Sequence, residues 1–263
     1  MDIKGKTVII TGATGGIGGE IARAFAEKGA KLILVGRDRD RLQKLQAEFK
    51  GKGTEVLSVA ADLSCDKDIK HMVAAAEEKF GAIDIVINNA GAMAFNPVLK
   101  ATEEEVKSVV MTNIYGPIRL AQAVLPGMLN RKSGRIVNIG SIFGSLSFPY
   151  FGVYSASKCA VRGFSEALRR EIQGSGVGVT YIAPRGTKTS QTESFLEMAK
   201  KTGMNLDDPK KVAQIIVNSV MKEKREVYIG GPERLFVLIN KLFPKIIDRA
   251  LRKNVDIMAE YVS

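Results

Sequence analysis

Tyr154 and Lys158 stand four residues apart where the hydrophobic pattern predicts a helix over 154–173, so their side chains share a face and can meet. A free phenol titrates near pKa ~10 and is a poor base at neutral pH. A neighbouring ammonium favours the phenolate and lowers that value. So tuned, Tyr154 can give or take the proton of a carbonyl/alcohol pair. The hydroxyl of Ser141, a little upstream, can hold the same oxygen as it gains negative charge. Met alone, a Tyr–Lys pair at this spacing is more often a solvated helix face with packed stems. Its company in the sequence decides.

A glycine loop near the N-terminus weighs toward chemistry. The run Thr11-Gly12-Ala13-Thr14-Gly15-Gly16-Ile17-Gly18-Gly19 follows the first apolar segment and opens a helix. Glycines there let the backbone turn sharply and approach a pyrophosphate with no Cβ in the way. The free N–H groups and partial positive charge of a helix N-terminus suit phosphates. A glycine turn can also merely join strand to helix, but its place between a first strand and a first helix predicts dinucleotide binding.

The spacing Gly12-x-x-x-Gly16-x-Gly18 resembles the TGxxxGIG pattern of the short-chain dehydrogenase/reductase family rather than GxGxxG. The resemblance continues through Asn88-Asn89-Ala90-Gly91, Asn113, Ser141 and Tyr154-x-x-x-Lys158, in the family's order. It implies a catalytic set of Asn113, Ser141, Tyr154 and Lys158. In that set Lys158 also holds the nicotinamide ribose hydroxyls, and Asn113 supports a water chain to Lys158. It further implies cofactor contacts from Gly12, Thr14, Gly16, Ile17 and Gly18, and from Asn89, Ala90 and Gly91. Asp62-Leu63 resembles the family's adenine-contacting pair, and Pro184, Thr187 and Thr189 complete the contacts. One position departs: Arg185 stands where the family has glycine after Pro184. Arg185 is expected to meet an acidic substrate group or to cap the cofactor phosphates.

The end of the second strand bears on which nicotinamide is used. An acid there normally binds the adenosine ribose of NAD. Here the strand ends Leu34-Val35-Gly36-Arg37, with Arg39 and Arg41 close by. A guanidinium matches a 2′-phosphate and a carboxylate repels it, so NADP(H) is expected in preference to NAD(H). Asp38 falls one or two places late for the ribose. The apolar, aromatic stretch 142–151 and a substrate-loop region over 190–206 flank the expected site. They favour a hydrophobic carbonyl or alcohol of steroid, long-chain ketone or acyl type.

These residues must be positioned by regular elements, and the chain alternates short apolar runs with amphipathic segments. Strands are expected at Thr7–Thr11, 31–35, 55–60, 83–87, Gly134–Ile139, 177–182 and 226–229. Helices are expected over 16–29, 39–50, 66–80, 103–129 with a break near Pro117, and 154–173. Strict alternation implies an α/β fold, a Rossmann-like doubly wound parallel sheet of about seven strands with helices on both faces. The absence of a linker argues for one domain over 1–263. Resembling relatives use the helices over 103–129 and 154–173 as dimer contacts, so a homodimer or homotetramer is expected.

Composition removes other classes. The 263 residues are 45% hydrophobic and 25% charged, which suits a folded core rather than disorder. Two cysteines, Cys65 and Cys159, make no disulfide framework or zinc site, and a reducing cytoplasm is the simplest location. His71, the one histidine, reads as a surface residue, and Cys159 as core packing. The net charge of +11 is spread along the chain without interleaved aromatics or any Trp, so nucleic acid is not an expected partner. No run reaches the ~18 apolar residues a membrane span needs. The amphipathic C-terminal extension, 233–263, sets apolar pairs at helical spacing among basic residues, with a kink expected at Pro244. It reads as a pocket lid, a subunit contact or, through 233–253, a peripheral membrane contact. Two further readings are a non-catalytic nucleotide-sensing or structural binding protein and a nucleotide-sugar epimerase or dehydratase. The complete Ser141/Tyr154/Lys158/Asn113 set argues against the first. The short remainder after the sixth strand argues against the second.

Overall fold

The run Thr7–Thr11 (β1) is β-branched and wholly buried, as suits a strand covered on both faces. It is the centre of the computed structural model, which describes residues 1–189 and 193–262. Six further strands join it: Lys31–Gly36 (β2), Val56–Ala60 (β3), Ile85–Asn88 (β4), Gly134–Ile139 (β5), Val177–Ala183 (β6) and Glu226–Tyr228 (β7). All pair in parallel, in the order β3-β2-β1-β4-β5-β6-β7. The fold is thus the expected Rossmann-like α/β sheet. The order reverses between β1 and β4, and a crevice opens there beyond the strand ends.

Helices cover both faces. Gly16–Ala26 (α1), Arg39–Gly51 (α2) and, later in the chain, a helix over Pro209–Met221 bury Phe25, Phe49 and Ile216 on one side. Asp66–Phe80 (α3) and the segments after β4 bury Met72, Leu120 and Leu168 on the other. The expected long helix over 103–129 divides into Glu103–Val110 (α4), a π-turn at Met111–Tyr115 and Gly116–Asn130 (α5). The break precedes Pro117. Proline is tolerated in the first turn of a helix, where its missing N–H has no partner to lose. Gly152–Glu171 (α6) follows β5 and carries the Tyr–Lys pair. Glu193–Lys201 (α7) lies within the expected substrate loop, whose residues 190–192 are outside the described ones. Pro209–Met221 (α8), Glu233–Leu242 (α9) and Pro244–Ala259 (α10) complete the chain, with Pro244 separating the last two.

The glycine loop is locked to the end of β4 by one hydroxyl. Buried Thr11 Oγ1 accepts the N–H groups of Asn89 and Ala90, both at 3.0 Å, and donates to Ile87 O. Asn89 Nδ2 returns two bonds, to Thr11 O and Gly12 O. A Thr11→Val substitution keeps the shape but orphans the Ala90 amide, while the Asn89 N–H keeps Ile87 O. It is expected to lower unfolding free energy by about 2 kcal/mol in urea titration.

Candidate functional site

The crevice at the switch point is a cleft of about 400 Å³ walled by the glycine loop, the ends of β2 and β4, and the turn after β3. Backbone crowding explains its glycines. A Cβ at Gly18 would lie 2.1 Å from Gly12 O, and one at Gly12, whose φ is +65°, would lie 2.8 Å from Ala90 Cα. The N-cap of α1 is Gly15, which has no side chain, and no acid sits in the first turn, so the partial positive charge of the helix start faces the cleft without a carboxylate of its own turn. The structure brings Gly12, Thr14, Gly16, Ile17 and Gly18 to this wall together with Arg37, Asp62, Leu63, Asn89, Ala90 and Gly91. A glycine cradle at a helix N-terminus with a cation at the far end fits a phosphate-bearing dinucleotide.

The far end holds the residues from which a preference between nicotinamides is expected. Gly36 ends β2 and exposed Arg37 lines the cleft. Asp38 is occupied elsewhere. Its Oδ1 caps α2 by accepting Arg41 N–H at 3.0 Å, and its Oδ2 pairs with the Arg41 guanidinium at 3.2 Å. Asp62 is held as a carboxylate: the Ser64 backbone N–H and hydroxyl, with Arg37 nearby, keep it below the ordinary aspartate range.

The dinucleotide cleft runs into a second cavity of about 310 Å³ through the shared residues Ile17, Asn89, Gly91, Ala92 and Thr189. Ser141, Tyr154, Lys158, Pro184 and Thr187 line it. Ser141 follows the end of β5 by two residues and caps the short turn over Ile142–Gly144 with its hydroxyl, which accepts Phe143 N–H at 3.2 Å. Lys158 Nζ lies 5.6 Å from the Tyr154 ring centre and donates to Ile139 O at 3.1 Å. Burial raises the Tyr154 phenol above its ordinary value, and the Ser141 hydroxyl offsets part of that rise. Burial pushes the Lys158 ammonium down to about 8. The sequence reading had the ammonium lowering the phenol. In the protein by itself desolvation wins, and both groups are driven toward their neutral forms.

Asn113 stands behind this wall, in the π-turn. Its Oδ1 accepts Ala92 N–H at 2.8 Å, and its Nδ2 donates to Ala92 O and Ser157 Oγ, both at 2.9 Å. Among the described residues it makes no hydrogen bond to Lys158; Asn113 Oδ1 and Lys158 Nζ flank Gly91 instead. The widened turn aims the side chain at the loop after β4.

Two expectations need correcting. Arg185 lines the second cavity, but its guanidinium is engaged by acids of the chain. It makes a bidentate pair with Asp207 at 2.9 and 2.8 Å and a third bond to Glu233 at 2.6 Å. The positive charge is neutralised internally, so it ties the loop after β6 to α9 rather than meeting a ligand acid. Cys159 is exposed, not core, because the buried stripe of α6 runs through Ser155, Lys158, Val161 and Ser165. His71 is on the surface as expected.

The sequence reading missed two features. A buried polar chain runs from Asn88 Nδ2 to Asn138 Oδ1 and from Asn138 Nδ2 to Ser165 Oγ, both at 2.8 Å, joining β4, β5 and α6 under the site. The signal was an asparagine between the apolar residues that end the buried strand GRIVNI. The second is the aromatic wall. Buried Phe151, Met198 and Met258 gather Phe143, Phe148, Phe195, Tyr154 and Tyr261 into one cluster, of which Phe143, Phe151, Tyr154 and Phe195 line the second cavity.

A parallel sheet of this order, with a glycine-walled cleft at its switch point, defines a Rossmann-like α/β protein. A family model described as short chain dehydrogenase matches residues 6–200. The chain belongs to the short-chain dehydrogenase/reductase family of oxidoreductases. It is 34% identical over 243 residues to dehydrogenase/reductase SDR family member 7B of Danio rerio, covering 88% of this chain and 79% of that protein. It is 31% identical over 239 residues to a 3-oxoacyl-acyl-carrier-protein reductase of Vibrio cholerae, covering 88% and 95%. Among solved structures, a short-chain dehydrogenase/reductase from Burkholderia phymatum in complex with NAD superposes with a TM-score of 0.86 at 25% identity, over 94% of this chain and 96% of that one. An actinorhodin polyketide ketoreductase with NADPH superposes with a TM-score of 0.80 at 28% identity, over 87% and 97%.

Proposed function

We propose that the protein is an NADP(H)-dependent oxidoreductase of a hydrophobic ketone or secondary alcohol, of steroid, long-chain ketone or acyl type. The observation that carries this is the continuity of the two cavities. A glycine-walled dinucleotide cleft with Arg37 at its far end leads past Ser141, Tyr154 and Lys158 into an aromatic pocket. The nicotinamide supplies or accepts the hydride. The chain's residues manage the oxygen and its proton. Ser141 holds the substrate oxygen, and Tyr154 gives it a proton in reduction or takes one in oxidation. The Lys158 ammonium binds ribose hydroxyls and stabilises the phenolate once oxidation begins. Asn113 holds the loop after β4 and the start of a proton path to Lys158. The aromatic wall excludes water and favours an apolar substrate over a sugar.

NADP(H) over NAD(H) rests on three neighbours: Gly36 where an acid would stand, Arg37 at the cleft, and Asp38 committed to capping α2. Titration followed by nicotinamide fluorescence tests it, with little protein background because the chain has no tryptophan. Arg37→Ala is expected to weaken NADPH roughly tenfold, ~1.4 kcal/mol, and to leave NADH nearly unchanged. Equal weakening of both, or tighter NADH binding by the wild type, would reassign the cofactor.

Two coarser assignments belong to the same reading. A homodimer or homotetramer is favoured by exposed Val106 and Val110 on α4. A reducing cytoplasm is favoured by the free thiols of Cys65 and Cys159.

A further inference from the structure

The C-terminal hairpin has two unlike ends. Its root is built into the site. Buried Glu233 at the start of α9 pairs with Arg185, Asn240 Nδ2 donates to Ser145 O, and Met258 and Tyr261 join the aromatic cluster that backs the second cavity. Its tip, where α9 turns into α10, touches little. Leu242, Phe243 and Ile246 are 60%, 61% and 58% exposed, and Leu235 and Leu238 extend the same apolar crest along α9 at spacings of three and four. Sequence alone left this segment as lid, subunit contact or membrane contact. The root backs the pocket wall; the crest is what needs an occupant.

Charge chooses the occupant. Arg234, Lys241, Lys245, Arg249, Arg252 and Lys253 surround the crest, against the single carboxylate Asp248 between Arg234 and Lys253. None of the six is in an ion pair among the described residues. Lys245, Arg249 and Arg252 sit four and three apart on α10, on the side away from buried Ile247, Asn254 and Met258. A second copy docked about a two-fold axis would set this cation-rich surface against itself, which repels. An anionic bilayer neutralises it and takes up the crest in one contact.

We propose that the α9–α10 hairpin docks the protein onto a bilayer carrying anionic headgroups. Leu242, Phe243 and Ile246 enter the boundary between headgroups and acyl chains, and Lys245, Arg249 and Arg252 lie against the phosphates. No helix among the described residues is long and apolar enough to cross a membrane, so the attachment is to one leaflet and reversible. Because the root of the hairpin packs behind the aromatic cavity, through Glu233 on Arg185 and Met258 in the cluster with Phe151, docking would bring that cavity close to apolar molecules held in the bilayer. The binding itself depends on neither the cofactor nor the substrate assignment.

The test is co-sedimentation of the full chain with vesicles of equimolar phosphatidylcholine and phosphatidylglycerol, and with phosphatidylcholine vesicles alone. The wild type is expected to sediment with the first, in a salt-sensitive way, and poorly with the second. Lys245→Ala combined with Arg249→Ala is expected to lower affinity for anionic vesicles by about fivefold per cation removed. Leu242→Ser with Phe243→Ser is expected to lower it more than ~tenfold. These side chains are exposed, so melting temperature, nicotinamide binding and turnover of a water-dispersed ketone should hold in each variant. Equal binding to both vesicle types, or none, overturns the proposal and leaves the oxidoreductase reading intact. So does a fall in the mass of the free protein by light scattering in the Leu242→Ser/Phe243→Ser variant, since a second copy would then be the occupant.

Discussion

Tyr154→Phe is expected to lower ketone turnover by roughly 10²–10⁴-fold while leaving NADPH affinity near wild type. The ring is retained, and its edge-on contacts with Phe143 and Phe151, at 6.2 and 6.5 Å between centres, do not involve the hydroxyl. Folding should therefore be unaffected, and the loss should fall on kcat. The pH profile adds a signed check. Burial raises the phenol, and reduction needs it protonated, so the reductive rate of the wild type should hold through neutral pH and fall on the alkaline side. Oxidation should rise over the same range. A Tyr154→Phe protein that folds, binds NADPH and turns over within a few-fold of wild type would remove Tyr154 from the mechanism.

Lys158→Met should separate stability from activity. The ammonium is 5% exposed, with Ile139 O as its one hydrogen-bond acceptor among the described residues, and burial lowers it from 10.5 to about 8. A lowered pKa on a base means that the folded chain binds fewer protons than the unfolded one between those values. The stability penalty is fully present below about pH 8 and is relieved as pH rises toward 10.5. At neutral pH it is about 3 kcal/mol. Methionine keeps the length without the charge, so the cofactor-free variant should melt roughly 6–12 °C above wild type at pH 7. Its stability should also lose the rise between pH 8 and 10.5 that the wild type shows. Turnover should drop by about 10² or more, since the ribose contact and the phenolate's counter-charge go together. A variant that melts lower at pH 7 would show that the ammonium is compensated in the folded protein.

The sheet was legible because its strands are short β-branched or apolar runs ended by polar or glycine residues, and β1 and β5 fall where the pattern puts them. The glycine loop and the Tyr154–Lys158 pair were legible for a related reason: each depends on spacing along one element. What stayed hidden depends on neighbours distant in the chain. The segment of α8 reads Gln-Ile-Ile-Val, a β-branched stretch with no clear helical signal, and packing against α1 makes it a helix. Pro117 marked the break to within a few residues, but not its π form, which carries Asn113 to Ala92 and Ser157 through contacts that local patterning does not encode. Arg185 looked available to a ligand because Asp207 and Glu233, its partners, lie 22 and 48 residues further on.

The apolar wall of the second cavity is assembled from pieces that are far apart in the chain: Met93 after β4, Phe143, Phe151 and Tyr154 after β5, Phe195 on α7 and Met204 beyond it. The dinucleotide cleft is assembled almost wholly from the first half. Cofactor choice and substrate range are therefore separately heritable traits of this protein. A graft aimed at substrate range must carry all of these wall segments together, and one aimed at cofactor choice need move only the end of β2.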